Sequence, residues 1–78
     1  MLSLRANRIS KIENLEGLNM EELSLAHNML TKITGLDKLP HLRELDLAKN
    51  KIVKLKGLQS VNTLRFLNLS LNSVEKVL

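Results

Sequence analysis

The chain contains no cysteine, tryptophan or tyrosine, a single proline and only one aromatic residue, Phe66. Each absence excludes something. Without cysteine no disulfide can staple a small domain, and the composition fits a reducing, intracellular setting. With aromatics at 1% but hydrophobic residues at 44%, any core must be aliphatic, built from Leu, Ile and Val of similar size. The same lack removes the stacking platform that single-strand nucleic-acid binders use. No run approaches the ~20 apolar residues of a membrane helix. Arg5, Asn7 and Arg8 interrupt the apolar opening a secretory signal would need. No Gly-rich phosphate loop is present. The formal net charge of +4 is mild, enough for solubility and a preference for acidic partners, too little to argue for nucleic acid.

What is present is repetition. Leu23-Ser24-Leu25 is followed by Asn28, Leu45-Asp46-Leu47 by Asn50, and Leu67-Asn68-Leu69 by Asn72; Leu2-Ser3-Leu4 and Asn7 open the series. The asparagines recur after 21, 22 and 22 residues. Within each copy the leucines alternate with polar or small residues, the period-two pattern of a strand with one buried face. A strand that returns in register every 22 residues stacks parallel to its predecessor. Parallel neighbours need a long connection, here about 17 residues, coiling in the right-handed sense.

The connections carry their own period. Ile52, Leu55, Leu58, Val61 and Leu64 step by three, as do Leu30, Ile33, Leu36, Leu39 and Leu42; Ile9, Ile12, Leu15 and Leu18 lead to Met20 in the first copy. A step of three fits short 3₁₀ turns better than an α-helix. Pro40 and glycines 17, 35 and 57 fall in these connections, where turn chemistry is expected. The asparagine after each strand carries two donors and an acceptor. Buried, Asn7, Asn28, Asn50 and Asn72 are predicted to form a ladder bonding the backbone of successive coils.

A 20–29-residue period with Leu-x-Leu-x-x-Asn at its centre identifies a leucine-rich repeat. The string Ile12-Glu13-Asn14-Leu15-Glu16-Gly17-Leu18, followed by Glu21-Glu22-Leu23, resembles the 22-residue subclass. A nuclear regulatory subunit of type-1 protein phosphatase typifies that subclass, which also occurs in axonemal dynein light chains, ciliary and centrosomal proteins and a spliceosomal component. The resemblance implies an α/β-type solenoid, a right-handed array of about three and a half repeats. Parallel strands form its concave face and short 3₁₀ or irregular crossovers its convex face. Residues 1–78 are read as one array with repeats at about 1–19, 20–41, 42–63 and 64–78. The resemblance further implies that the concave face contacts the partner. The disulfide-bonded caps usual in secreted members are missing here.

Aligning the copies sets out that face. Met1, Glu22, Glu44 and Phe66 form one column; Ser3, Ser24, Asp46 and Asn68 the next; Arg5, Ala26, Ala48 and Ser70 a third; Ala6, His27, Lys49 and Leu71 a fourth. The candidate partner-binding residues are Glu22, Ser24, Glu44, Asp46, Phe66 and Asn68. Glu22, Glu44 and Asp46 make an acidic cluster suited to a basic segment, and the alanines beside it leave room for a partner's bulk. Phe66 is a natural anchor. Paired catalytic carboxylates would need a desolvated cleft, which nothing here supplies. On the far side Lys11, Lys32, Lys54 and Lys76 form a lysine column, with Lys51 and Lys56 beside it and Glu13, Glu16, Asp37 and Glu75 in partial compensation. His27 and His41 have no cysteine near them and no ligand spacing. Asn68-Leu69-Ser70 matches a glycosylation sequon but falls on a predicted strand.

Solenoids require polar caps. Both ends here are read as uncapped, so further repeats or a stacking chain are expected at each, and the isolated chain is expected to be weakly stable or to associate. The functional expectation is a non-enzymatic, intracellular protein–protein interaction module, scaffold or regulatory subunit, in a phosphatase-regulating, ciliary, axonemal or centrosomal context. It needs no cofactor, metal, membrane or small-molecule substrate. The alternative is a ribonucleoprotein or nucleic-acid-associated module using the lysine-rich convex face.

Overall fold

A computed structural model describes residues 1–15, 19–58 and 61–74. The expected turn at Gly17, the core position of Leu18 and the charges of Glu16, Glu75 and Lys76 lie outside the described residues. Four strands, β1 (Leu2–Ser3), β2 (Glu22–Ser24), β3 (Glu44–Asp46) and β4 (Phe66–Asn68), form one parallel sheet in sequential order. The register is that of the repeat: Leu2 pairs with Leu23, Leu23 with Leu45 and Leu45 with Leu67. Each strand is only two or three residues long. Backbone bonds nevertheless continue past it. Leu25 N–H donates to Asp46 O (2.8 Å), His27 N–H to Ala48 O (2.9 Å) and Lys51 N–H to Leu30 O (2.8 Å).

What ends each strand is a left-handed residue. Ala6, His27, Lys49 and Leu71 have φ of 60°, 57°, 57° and 57°. All four stand immediately before the repeat asparagine, and none is glycine. The fourth sequence column is therefore a column of turns, not an extension of the strands. The residue types share no tendency to this conformation, so periodicity alone did not reveal it.

The asparagines hold the turn in place. Asn28 Oδ1 accepts from the backbone N–H groups of Asn7 (2.9 Å) and Ile9 (2.8 Å), and its Nδ2 donates to Leu4 O and Leu25 O (both 2.9 Å). Asn50 repeats this one coil on, accepting from Leu30 N–H (2.9 Å) and donating to Leu25 O and Leu47 O (both 3.0 Å). Asn72 accepts from Ile52 N–H (3.0 Å) and donates to Leu47 O (2.8 Å). Each of these amides bonds the preceding coil, and Asn28 and Asn50 also donate to a carbonyl of their own, Leu25 O and Leu47 O. Asn7 is the exception to the predicted ladder. It is exposed, and its Nδ2 bonds Arg5 O within its own turn.

The core is a stack of aliphatic layers. Leu23 and Leu45 from the strands, and Leu25 and Leu47 just past them, meet Leu30, Ile33, Leu36, Leu39, Leu42 and Ile52 from the crossovers, all at most 2% exposed. Burial of one such side chain contributes about 1.5–3 kcal/mol. The three-step crossover is realised at Leu36–Lys38, a 3₁₀ helix closed by Leu39 N–H donating to Leu36 O (3.0 Å). The next coil repeats the bond from Val61 N–H to Leu58 O (3.0 Å). The step of three does not bury every member: Leu55, one period after Ile33, is 43% exposed. Gly35 and Gly57 have φ of 77° and 108°. A Cβ on Gly57 would stand 2.2 Å from Ile33 O of the preceding coil. Glycine here permits both the conformation and the coil spacing.

Candidate functional site

The face of the sheet turned away from the leucines is built by the residues between them. The aligned columns are real neighbours: Glu22 pairs with Glu44 and Glu44 with Phe66, while Ser24 pairs with Asp46 and Asp46 with Asn68. Adjacent rungs of a sheet lie about 4.8 Å apart, so side chains in one column can act on one ligand. Of the six predicted partner-binding residues, Glu44 and Phe66 are exposed, Phe66 by 55%. Glu22, Asp46 and Asn68 are half-buried.

Ser24 departs from the expectation of an exposed column. It is only 7% exposed, its short side chain lying between Ser3 and Asp46 on the neighbouring rungs. Ala26 and Ala48, expected to leave room for a partner, are buried at 2% and 9% exposure. Asp46 and Asn68 have local work: Asp46 Oδ1 accepts from Ala48 N–H and Asn68 Oδ1 from Ser70 N–H, each at 3.0 Å. These side chains brace the descent into the left-handed turn, leaving only part of their hydrogen-bonding capacity for a ligand.

The acidic cluster is also less isolated than its column suggests. Glu21, Glu22, Arg43, Glu44 and Arg65 together line a shallow depression of about 130 Å³. Arg43 Nη1 pairs with Glu21 Oε1 at 3.0 Å, an exposed ion pair. Arg43 and Arg65 share one repeat position just ahead of the strands, and a column drawn one residue upstream would have shown them. Glu22 and Glu44 have no ion-pair partner among the described residues.

At the other end of the strands the charge reverses. Arg5 Nη2 donates to His27 Nε2 at 3.0 Å. Since a guanidinium only donates, that ring nitrogen is the acceptor of a neutral imidazole. Desolvation, then the positive charges of Lys49 and Arg5, hold the His27 pKa below its ordinary 6.5; Asp46 opposes them. The open face therefore runs from carboxylates at the strand starts to the cations Arg5 and Lys49, with the neutral His27 between them, at the strand ends. Spacing placed these residues in columns but gave no hint of the Arg5–His27 contact.

Among the described residues no group of three or more His, Asp or Glu side chains is placed to hold a metal ion. No helix among them is long and apolar enough to cross a membrane. On the crossover side Lys11, Lys32 and Lys54 are exposed, as the lysine column requires.

A family model described as leucine rich repeats (2 copies) matches residues 18–60, more than half of the chain. No curated protein matches it.

Proposed function

The chain belongs to the leucine-rich repeat family, and on that basis we propose that it is a protein-interaction module whose receptor is the open face of the sheet. Repeats of this family generally mediate protein–protein contacts and are typically non-catalytic. The observation that carries the assignment of the face is the in-register row Glu22–Glu44–Phe66, which ends on the chain's sole aromatic ring, 55% exposed. A large exposed aromatic on a rigid sheet is the kind of residue that dominates binding energy once a partner covers it. The Glu22 and Glu44 carboxylates beside it, without an ion-pair partner among the described residues, favour a partner segment that offers cationic and apolar side chains together. Scaffold or regulatory subunit is the role this implies. The phosphatase-regulating, ciliary, axonemal and centrosomal settings of similar 22-residue repeats are the intracellular contexts we propose for it.

The test is affinity capture with the chain against Phe66→Ala and Glu44→Lys. A partner retained by the parent and lost by both variants, with circular dichroism unchanged, supports this reading. Partners captured equally by all three forms refute it.

A further inference from the structure

A larger concavity lies on the opposite side of the molecule. The crossover segments 31–37 and 53–57 enclose a groove of about 750 Å³. Its origin is the repeat itself. Gly35 and Gly57 stand one period apart, both with positive φ, and both line the groove on successive coils. The lining is Thr31 and Thr34 with their hydroxyls, the apolar Ile33, Leu36 and Val53, and the cations Lys32, Lys54 and Lys56. Asp37 is the single carboxylate in it. None of the three ammonium groups has an ion-pair partner among the described residues. Like charges on successive coils repel one another. The lysine column is thus a standing electrostatic cost that an anionic ligand would relieve.

We propose that this groove is a second docking site, for an acidic peptide segment in extended conformation. Alternate residues of an extended chain project on one side about 6.6 Å apart. Lys32 and Lys54, on flexible four-carbon stems, can reach carboxylates at that spacing. Thr31 and Thr34, both exposed, can donate to the peptide backbone, and the half-buried Val53 offers an apolar contact to the intervening side chains. A nucleic-acid backbone is disfavoured because the groove has no aromatic for base stacking and no arginine for bidentate phosphate contact. The site is independent of the open sheet face: Phe66, Glu22 and Glu44 line no part of it.

The test titrates the full chain with a peptide of alternating glutamate and serine, its glutamine analogue and an oligothymidylate, following backbone amide shifts. The glutamate peptide is expected to shift Thr34 and Val53, to bind roughly tenfold more weakly at physiological than at low ionic strength, and to outcompete the oligothymidylate. The glutamine analogue should not bind. Charge reversal of two exposed lysines, Lys32→Glu with Lys54→Glu, should weaken binding at least tenfold, and Phe66→Ala should leave it unchanged. Absence of glutamate-peptide binding, equal affinity in the double variant, shifts confined to the open face, or tighter binding of the oligothymidylate would each overturn the proposal.

Discussion

Asn50 Nδ2 and the carbonyl oxygen of Leu25 lie 3.0 Å apart across two successive coils, and the same amide donates to Leu47 O at 3.0 Å in its own coil. One side chain therefore joins two layers, while its Oδ1 accepts from Leu30 N–H. No buried side-chain nitrogen or oxygen among the described residues lacks a partner, so this spine has no slack.

Asn50→Ala strands backbone groups on both coils. The expected loss is about 3 kcal/mol, since each unsatisfied buried group costs about 1–3 kcal/mol. Asn7→Ala, at an exposed position with a single bond to Arg5 O, is expected to cost less than about 1 kcal/mol. Urea denaturation of the two variants should separate them clearly; equal losses would show that the asparagine spine does not carry the stability assigned to it.

Gly57→Ala places a methyl against a backbone carbonyl that cannot retreat without shifting a whole coil, and it does so at a φ of 108°. Destabilisation above about 3 kcal/mol is expected from overpacking and strain together. Gly35→Ala meets Ile12 O at 3.0 Å with a φ of 77°, and the expected loss is smaller, about 1–2 kcal/mol. Thermal melts that ranked Gly35→Ala as the worse variant would contradict the coil spacing described here.

Leu71 is 69% exposed and left-handed, with φ 57°. Leu71→Gly relieves a strain of about 1–2 kcal/mol at some entropic cost, for a net gain of up to about 1 kcal/mol. Leu71→Val, β-branched in the same conformation, should be destabilised. If both variants unfold at the same denaturant concentration, the turn before Asn72 is not left-handed in solution.

The lowered pKa of His27 sets a pH dependence. Between the ordinary histidine value of 6.5 and the lower folded pKa, the unfolded chain binds the proton more readily than the folded one. Stability is therefore fully present above 6.5, falls as pH drops through this window and levels off below the folded pKa. His27→Asn, which keeps a residue tolerant of the left-handed turn, should flatten that part of the profile. A parent whose stability is level or rising as pH falls from 7 toward 5 would rule out the proposed Arg5–His27–Lys49 arrangement.

Much of the architecture was legible because a solenoid repeats one local solution. Leu23, Leu45 and Leu67 share a register since each strand returns after 22 residues, and the amides of Asn28 and Asn50, buried, and of Asn72, half-buried, mark the turn by chemistry that no apolar residue can replace. The left-handed residues before them stayed hidden. Ala6, His27, Lys49 and Leu71 have nothing in common but position, and the asparagine bonds impose their conformation. The candidate site was legible only in part. Columns named its members, but neither the burial of Ser24 between its neighbours nor the arginines flanking the carboxylates follows from alternation.

Sequence by itself determined the layer, its spacing and its order, because apolar period, turn glycine and buried asparagine each have few physical solutions and here agree on one. Only the tertiary structure decided which side chains meet: Arg5 with His27 across 22 positions, Arg43 with Glu21, and Gly35 in line with Gly57 over an open groove. Such contacts depend on side-chain directions and on the depth to which each residue is covered. Those are properties of neighbouring coils in three dimensions, which a one-dimensional period can align but cannot turn toward one another.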